Sequence, residues 1–250
     1  GQADLIVGNN VLAHVPDLRD FVEGMRVLLA PQGVITVEFP HLMRLVEGNQ
    51  FDTIYHEHFS YFSFRTARRA FRQANLEVFD VEELPTHGGS LRVYARHAGA
   101  DGPPIASRVE ELLERERAAG YDDLRFYGEF RARVEAVKRD LLAFLIDVRR
   151  QGRRVVGYGA AAKGNTLLNY CGVRGDFLDY VVDRNPHKQG RYLPGTHLPI
   201  LAPEAIDETR PEYVLILPWN LRDEIVRQMD RIREWGGKFV VAIPRLEVLS

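Results

Sequence analysis

The feature that most restricts the fold is the alternation of short apolar runs with helical patterns over the last hundred residues. Residues 154–158, 178–183, 213–217 and 238–243 read as buried strands, and residues 160–170 and 223–235 carry apolar side chains at helical spacing. Strands separated by helices run parallel, because the helix supplies the crossover that a parallel pair requires. The expectation is an open, mostly parallel α/β sheet of the doubly wound kind, which binds ligands beyond the carboxyl ends of its strands.

The front of the chain repeats the pattern once. Residues 3–8 form an apolar run, and Leu18, Phe21, Val22, Met25, Leu28 and Leu29 recur at helical spacing. Pro31-Gln32-Gly33 predicts a turn, and residues 34–39 predict a second strand, ended by Pro40. This strand-helix-strand unit begins abruptly, so the chain is expected to be the later part of a longer protein. Residues 63–74 read as a helix with Ser63 as N-cap, and residues 76–84 and 90–96 as two strands joined by the turn chemistry of 85–89. The Gly, Ala, Asp and Pro of 97–104 mark a linker. The expected division is therefore 1–98 and 99–250, the second part opening with two helices over 105–151 whose charged residues form a solvated face.

At 250 residues either one large domain or two smaller ones could bury a core. The 33 basic and 35 acidic residues nearly cancel, which argues against nucleic acid as a partner. A single cysteine, Cys171, excludes an internal disulfide and a zinc site built on several thiolates within these residues, and fits a reducing cytoplasm. No apolar run approaches the roughly 20 residues of a membrane span, and no signal-peptide pattern opens the chain.

The densest chemical constellation is Tyr55-His56-Glu57-His58, followed by Phe59, Tyr61, Phe62 and Phe64. A histidine at such a place can take a proton from carbon beside a carbonyl, since imidazole is partly unprotonated near neutrality. Two other readings of the histidines stay open: a metal pair lacking a third ligand, and simple hydrogen bonding in a packed loop. Asn10 and His14 follow the first strand and would face the same crevice if the two strands are neighbours.

In the second part, Gly157-Tyr158-Gly159-Ala160-Ala161-Ala162-Lys163-Gly164-Asn165 follows a strand and opens a helix. Glycines allow close backbone approach, the helix N-terminus attracts anions, and Lys163 adds a charge, so a phosphate-bearing ligand is expected. The spacing is neither a full dinucleotide fingerprint nor a Walker sequence. Asp183 ends the next strand about where a ribose-binding acid would lie, which leaves a nicotinamide cofactor as a rival. A tight turn with a solvated lysine is the structural alternative. Residues 183–190 could line the same mouth or form an ordinary surface loop.

Taken together, Asn-Val-Leu-Ala-His-Val at 10–15, Ile-Tyr-His-Glu-His-Phe-Ser-Tyr-Phe at 54–62, His-Gly-Gly-Ser-Leu-Arg at 87–92 and the glycine loop at 157–165 resemble the S-adenosylmethionine-dependent C-methyltransferases that act on nucleotide-linked deoxysugars in antibiotic biosynthesis. The resemblance implies that 1–98 is the remainder of a class I methyltransferase Rossmann-like sheet, and that 99–250 is a Rossmann-like domain that binds the nucleotide sugar. It also implies that His58 is the base that forms an enolate beside the sugar ketone. Tyr55 and His14 would then relay protons, Glu57 and Asn10 would orient the sugar, and a thymidine diphosphate would sit at Gly157, Gly159, Lys163, Gly164, Asn165 and Asp183. Members of that family carry a cysteine-rich zinc domain and most of their S-adenosylmethionine site in segments ahead of the residues matched here. The alternatives are an NAD-dependent sugar-modifying oxidoreductase and a non-catalytic nucleotide-sugar-binding module.

Overall fold

A computed structural model describes residues 1–249. The chain divides into two compact units, one of residues 1–47 with 56–128, the other of residues 48–55 with those from 129 onward. The expected division at 98/99 thus gives way to one at 128/129. The reason is that Val109 and Leu112, on the first helix after the linker, are buried in the first core with Phe64 and Phe71.

The first unit contains β1 (Ala3–Asn9), α1 (Leu18–Leu28), β2 (Leu29–Pro40), α2 (Leu42–Glu47), α3 (Phe64–Gln73), β3 (Leu76–Leu84), β4 (Ser90–His97) and α4 (Ser107–Ala118). Its sheet has the order β1-β2-β4-β3, with β1 parallel to β2 and β4 antiparallel to both its neighbours. Ile35, Val37 and Phe39 of β2 alternate with more polar positions and meet Leu91, Val93 and Ala95 of β4 in the core. The turn expected at 31–33 is instead a bulge inside β2. Pairing jumps from Ala3 with Leu29 to Leu5 with Val34, and a Cβ on Gly33 would lie 2.8 Å from the Ala3 carbonyl oxygen.

Two helix starts are fixed by side chains. Asp17 caps α1 by accepting from the Asp20 amide, and Ser63 caps α3 by accepting from the Thr66 amide. The Phe64 and Arg65 amides of α3 are held by the buried Glu116 carboxylate of α4, at 2.6 and 3.0 Å. The same carboxylate meets His41 Nε2 at 2.8 Å.

In the second unit lie most of α5 (Leu124–Arg150), then β5 (Val155–Tyr158), α6 (Ala162–Cys171), β6 (Val181–Val182), β7 (Ile200–Leu201), α7 (Ala205–Thr209), β8 (Tyr213–Ile216), α8 (Arg222–Gln228), β9 (Lys238–Val241) and β10 (Glu247–Leu249). The strand order is β10-β9-β8-β5-β6-β7, all parallel except β10. Counted from β5, this is the order 6-5-4-1-2-3 of doubly wound dinucleotide-binding sheets, whose crevice opens between the first and fourth strands. Both faces are buried. Val155, Leu215 and Val240 pack on α5 and α6, whereas Val156, Val214 and Phe239 pack with Ile206, Ile225 and Ile232. The helix expected over 223–235 is interrupted at Met229, which leaves helical geometry (φ −112°, ψ 19°) and is followed by a tighter 3-10 stretch at Asp230–Trp235.

Candidate functional site

In the first unit, the carboxyl ends of β1 and β2 gather most of the polar groups that the sequence marked. The chain leaves β1 through Asn10, held in the left-handed region at φ 55°, and makes a 3-10 turn at Leu12–His14. The following loop is tied back to it, since the amides of Phe59 and Ser60 both donate to the Ala13 carbonyl. His14 Nδ1 lies 2.9 Å from the Glu57 carbonyl oxygen. A carbonyl only accepts, so Nδ1 carries the proton and Nε2 of the neutral ring is an acceptor facing away. The His58 ring stands 4.8 Å from the His14 ring, and Tyr61 packs edge-on against His58 at 5.5 Å. His58 is half-buried, while His56 and Glu57 are exposed. Glu57 therefore enters this arrangement through its backbone oxygen.

Asn10 approaches His87 at 3.4 Å, and its buried Oδ1 has no partner among the described residues. Glu38, buried at the end of β2, accepts from Thr86 Oγ1 at 2.9 Å and Arg92 Nη2 at 3.0 Å. The turn between β3 and β4 thus presents His87 to the same strand ends. Sequence reasoning missed Glu38 and His87 as site residues. An acid within an otherwise apolar strand was the available signal for the first, and the quoted 87–92 motif for the second.

In the second unit the glycine loop leaves β5 as expected, yet packing accounts for its glycines. A Cβ on Gly157 would lie 2.8 Å from Val181, one on Gly159 2.5 Å from Pro218, and one on Gly164 2.6 Å from Leu217. Gly159 also adopts φ 92°, which favours glycine. No side chain caps α6, whose first turn follows directly after the loop that leaves β5. Asp183 holds the loop itself, accepting from the Ala160 amide, the Asn185 amide and Lys188 Nζ. The Asn165 side chain accepts from Asn169.

Lys163 donates to Asn220 Oδ1 at 2.7 Å and lies 4.4 Å from the centre of the Trp219 ring. Burial lowers its affinity for the proton, opposed by the negative charge of Asp52. The Trp219 indole in turn donates to Asp52 Oδ2 at 2.8 Å. Asp52 is fully buried, and burial pushes its pKa up to about 6 against the pull of Trp219 and Lys163. Asp52, Trp219 and Asn220 escaped the sequence reading, although Asp52 lies three residues before Tyr55 and Trp219 follows a strand end. Tyr55 is itself half-buried and belongs to the 48–55 segment of this unit. Among the described residues no three potential ligand side chains come together as a metal site, and no helix is long and apolar enough to cross a membrane.

Residues 85–244 match the family described as C-methyltransferase C-terminal domain, and residues 1–81 match the family described as methyltransferase domain. The chain is 40% identical over 250 residues to the C-methyltransferase NovU of Streptomyces niveus, covering 100% of this chain and 59% of that protein. It therefore spans about three fifths of the length of this relative. Among solved structures, a chain of the complex between the Haloferax volcanii Trm112 methyltransferase activator and a methyltransferase matches at TM-score 0.34 and 15% identity, over 39% of this chain and 55% of that one. An O-methyltransferase family protein of Burkholderia thailandensis matches at TM-score 0.29 and 18% identity, over 40% and 32%. Scores this low add nothing to the architecture described above.

Proposed function

Because the chain belongs to the C-methyltransferase family, we propose that it forms the acceptor-handling part of an enzyme that methylates carbon beside the ketone of a nucleotide-linked keto sugar. The observation that carries this reading is the pair of imidazoles at the end of β1, with His14 locked into the tautomer that leaves Nε2 basic and His58 ring to ring with it. His58 removes the proton from the carbon next to the ketone, and the electrons of the broken C–H bond pass to the ketone oxygen as an enolate. His14 Nε2 is suited to carry that proton away. Asn10 Oδ1, buried and unpartnered at the strand end, fits a donor on a bound ligand. When bound, S-adenosylmethionine would supply the electrophilic methyl group, the sulfonium sulfur keeping the electrons of the broken S–CH3 bond and leaving as the neutral thioether while the ketone re-forms.

In the second unit taken by itself, a thymidine diphosphate would meet positive potential at the first turn of α6, which no side chain caps, and at Lys163. The strand order of the second unit also suits a nicotinamide dinucleotide, but Asp183, the acid that would hold its ribose, already accepts three donors from the loop. The test is His58→Gln in the full-length protein. We expect turnover to fall by about 10²–10⁴-fold, the range for a lost general base, with thymidine diphosphate affinity within about twofold. Unaltered turnover would remove His58 from the role of base.

A further inference from the structure

Asp52 is a carboxylate with an incomplete set of partners. It is fully buried, and one carboxylate oxygen, Oδ1, has no hydrogen-bond partner among the described residues. A buried carboxylate left half-satisfied is unfavourable for folding alone, which points to a functional reason for retaining it. Its other oxygen is held by Trp219, which follows β8, while Lys163 lies on the Trp219 ring and reaches Asn220. Lys163 stands at the start of α6, just after β5, and Trp219 just after β8, the two strands between which doubly wound sheets bind ligands.

We propose that Asp52 is a positioning residue for anion binding at the start of α6: through the Trp219 indole it fixes the place of the Lys163 ammonium against which a ligand's diphosphate binds. The inference rests on the reading of this loop as the nucleotide-diphosphate site. Three links support it. The Asp52–Trp219 hydrogen bond orients the indole plane, the indole face holds the ammonium, and Asn220 fixes the height at which the ammonium stands.

The same geometry makes the site pH-dependent. Lys163 is the charged group that faces Asp52 from α6, and Trp219 and Asn220 on the β8 side are uncharged. Asp52 ionises near pH 6. A diphosphate arriving at Lys163 adds negative charge near that carboxylate and favours its protonated form. Binding therefore takes up a proton, and affinity weakens as pH rises through about 6.

The experiment is calorimetric titration of the chain with thymidine diphosphate-glucose, whose pyrophosphate diester does not titrate between pH 5.5 and 7.5. We expect wild-type affinity to weaken by about three- to tenfold across that range. Asp52→Ala, which removes the acceptor for Trp219, should weaken binding by about tenfold or more at every pH. Asp52→Asn, which keeps an acceptor but no charge, should bind within about threefold of the wild type at pH 5.5 with no pH dependence. Alanine and asparagine variants equal to each other, or a wild-type slope surviving in the asparagine variant, would overturn the proposal. A wild-type chain that does not bind the ligand would instead refute the phosphate reading of the loop. The contact itself is then read separately, from the Trp219 indole N–H resonance of the ligand-free protein. We expect it to titrate with a midpoint near pH 6 in the wild type only. A resonance that does not move would overturn the role of Asp52 without reference to any ligand.

Discussion

Replacing Glu116 by alanine should unravel the start of α3 and destabilise the first unit more than any surface substitution. The carboxylate is 2% exposed and serves three donors: the Phe64 amide, the Arg65 amide and His41 Nε2. With Ser63 holding the Thr66 amide, every amide of the first turn of α3 has an acceptor, and two of the three depend on Glu116. A buried donor stripped of its acceptor costs about 1–3 kcal/mol, and water entering the vacated space recovers part of that. Losing the negative charge from the helix N-terminus adds about 0.5–1 kcal/mol. The expected loss for Glu116→Ala is therefore about 3–5 kcal/mol. Glu116→Gln keeps one oxygen but turns an amino group toward a backbone donor, and should lose about 1–2 kcal/mol. Both tryptophans, Trp219 and Trp235, lie in the second unit, so their fluorescence does not report this transition. Urea unfolding followed by circular dichroism, together with hydrogen exchange at the Phe64 and Arg65 amides, does. A loss below about 1 kcal/mol for the alanine variant, or a glutamine variant as damaged as the alanine one, would refute the cap as the source of stability.

Gly164→Ala sets a better helix former against a Cβ placed 2.6 Å from that of Leu217. Overpacking of about 1–3 kcal/mol should outweigh a propensity gain of about 1 kcal/mol, and an equally stable variant in thermal unfolding would show that α6 can shift away from β8. The raised pKa of Asp52 has a stability consequence with a definite sign. Because the folded protein holds this proton more tightly than the unfolded chain, the destabilising effect is absent below about pH 4, grows through the interval to pH 6, and is complete above it. The full effect is about 3 kcal/mol, so Asp52→Asn should stabilise the second unit by up to that amount at pH 8 and by almost nothing at pH 4. Urea midpoints from tryptophan fluorescence at the two pH values test this, and an equal difference at both would contradict the burial of Asp52 as its cause.

The parallel architecture of the second unit was legible because β5, β8 and β9 are buried on both faces and read as unbroken apolar runs. The two-residue strands β6 and β7 left too little pattern, and of residues 178–183 only Val181 and Val182 join the ladder. Tyr180 instead faces the other core and donates to the Ala205 carbonyl. Clustered imidazoles around position 56 announced chemistry by their density alone. Glu38, Asp52 and Trp219 did not, because each acquires its meaning from a partner 48, 167 or 54 residues away along the chain. The linker composition at 97–104 misplaced the boundary since α4 buries its apolar stripe backward, onto α3 and β3.

Residues 48–55 belong with the second unit although both flanks belong to the first. During synthesis this segment leaves the ribosome well before its partners, the last of which, the Pro244 carbonyl that accepts from Asn49, follows about 190 residues after Tyr55. At roughly 5–20 residues per second the interval is on the order of ten to forty seconds. Over that time Phe51 and Asp52 remain in water, while residues 1–47 and 56–128 are free to close around an unanchored eight-residue loop. The stretch that leads directly into Tyr55 and His58 is thus among the last parts of the chain to acquire its native surroundings, and a chain released before residue 219 leaves Asp52 without its indole partner.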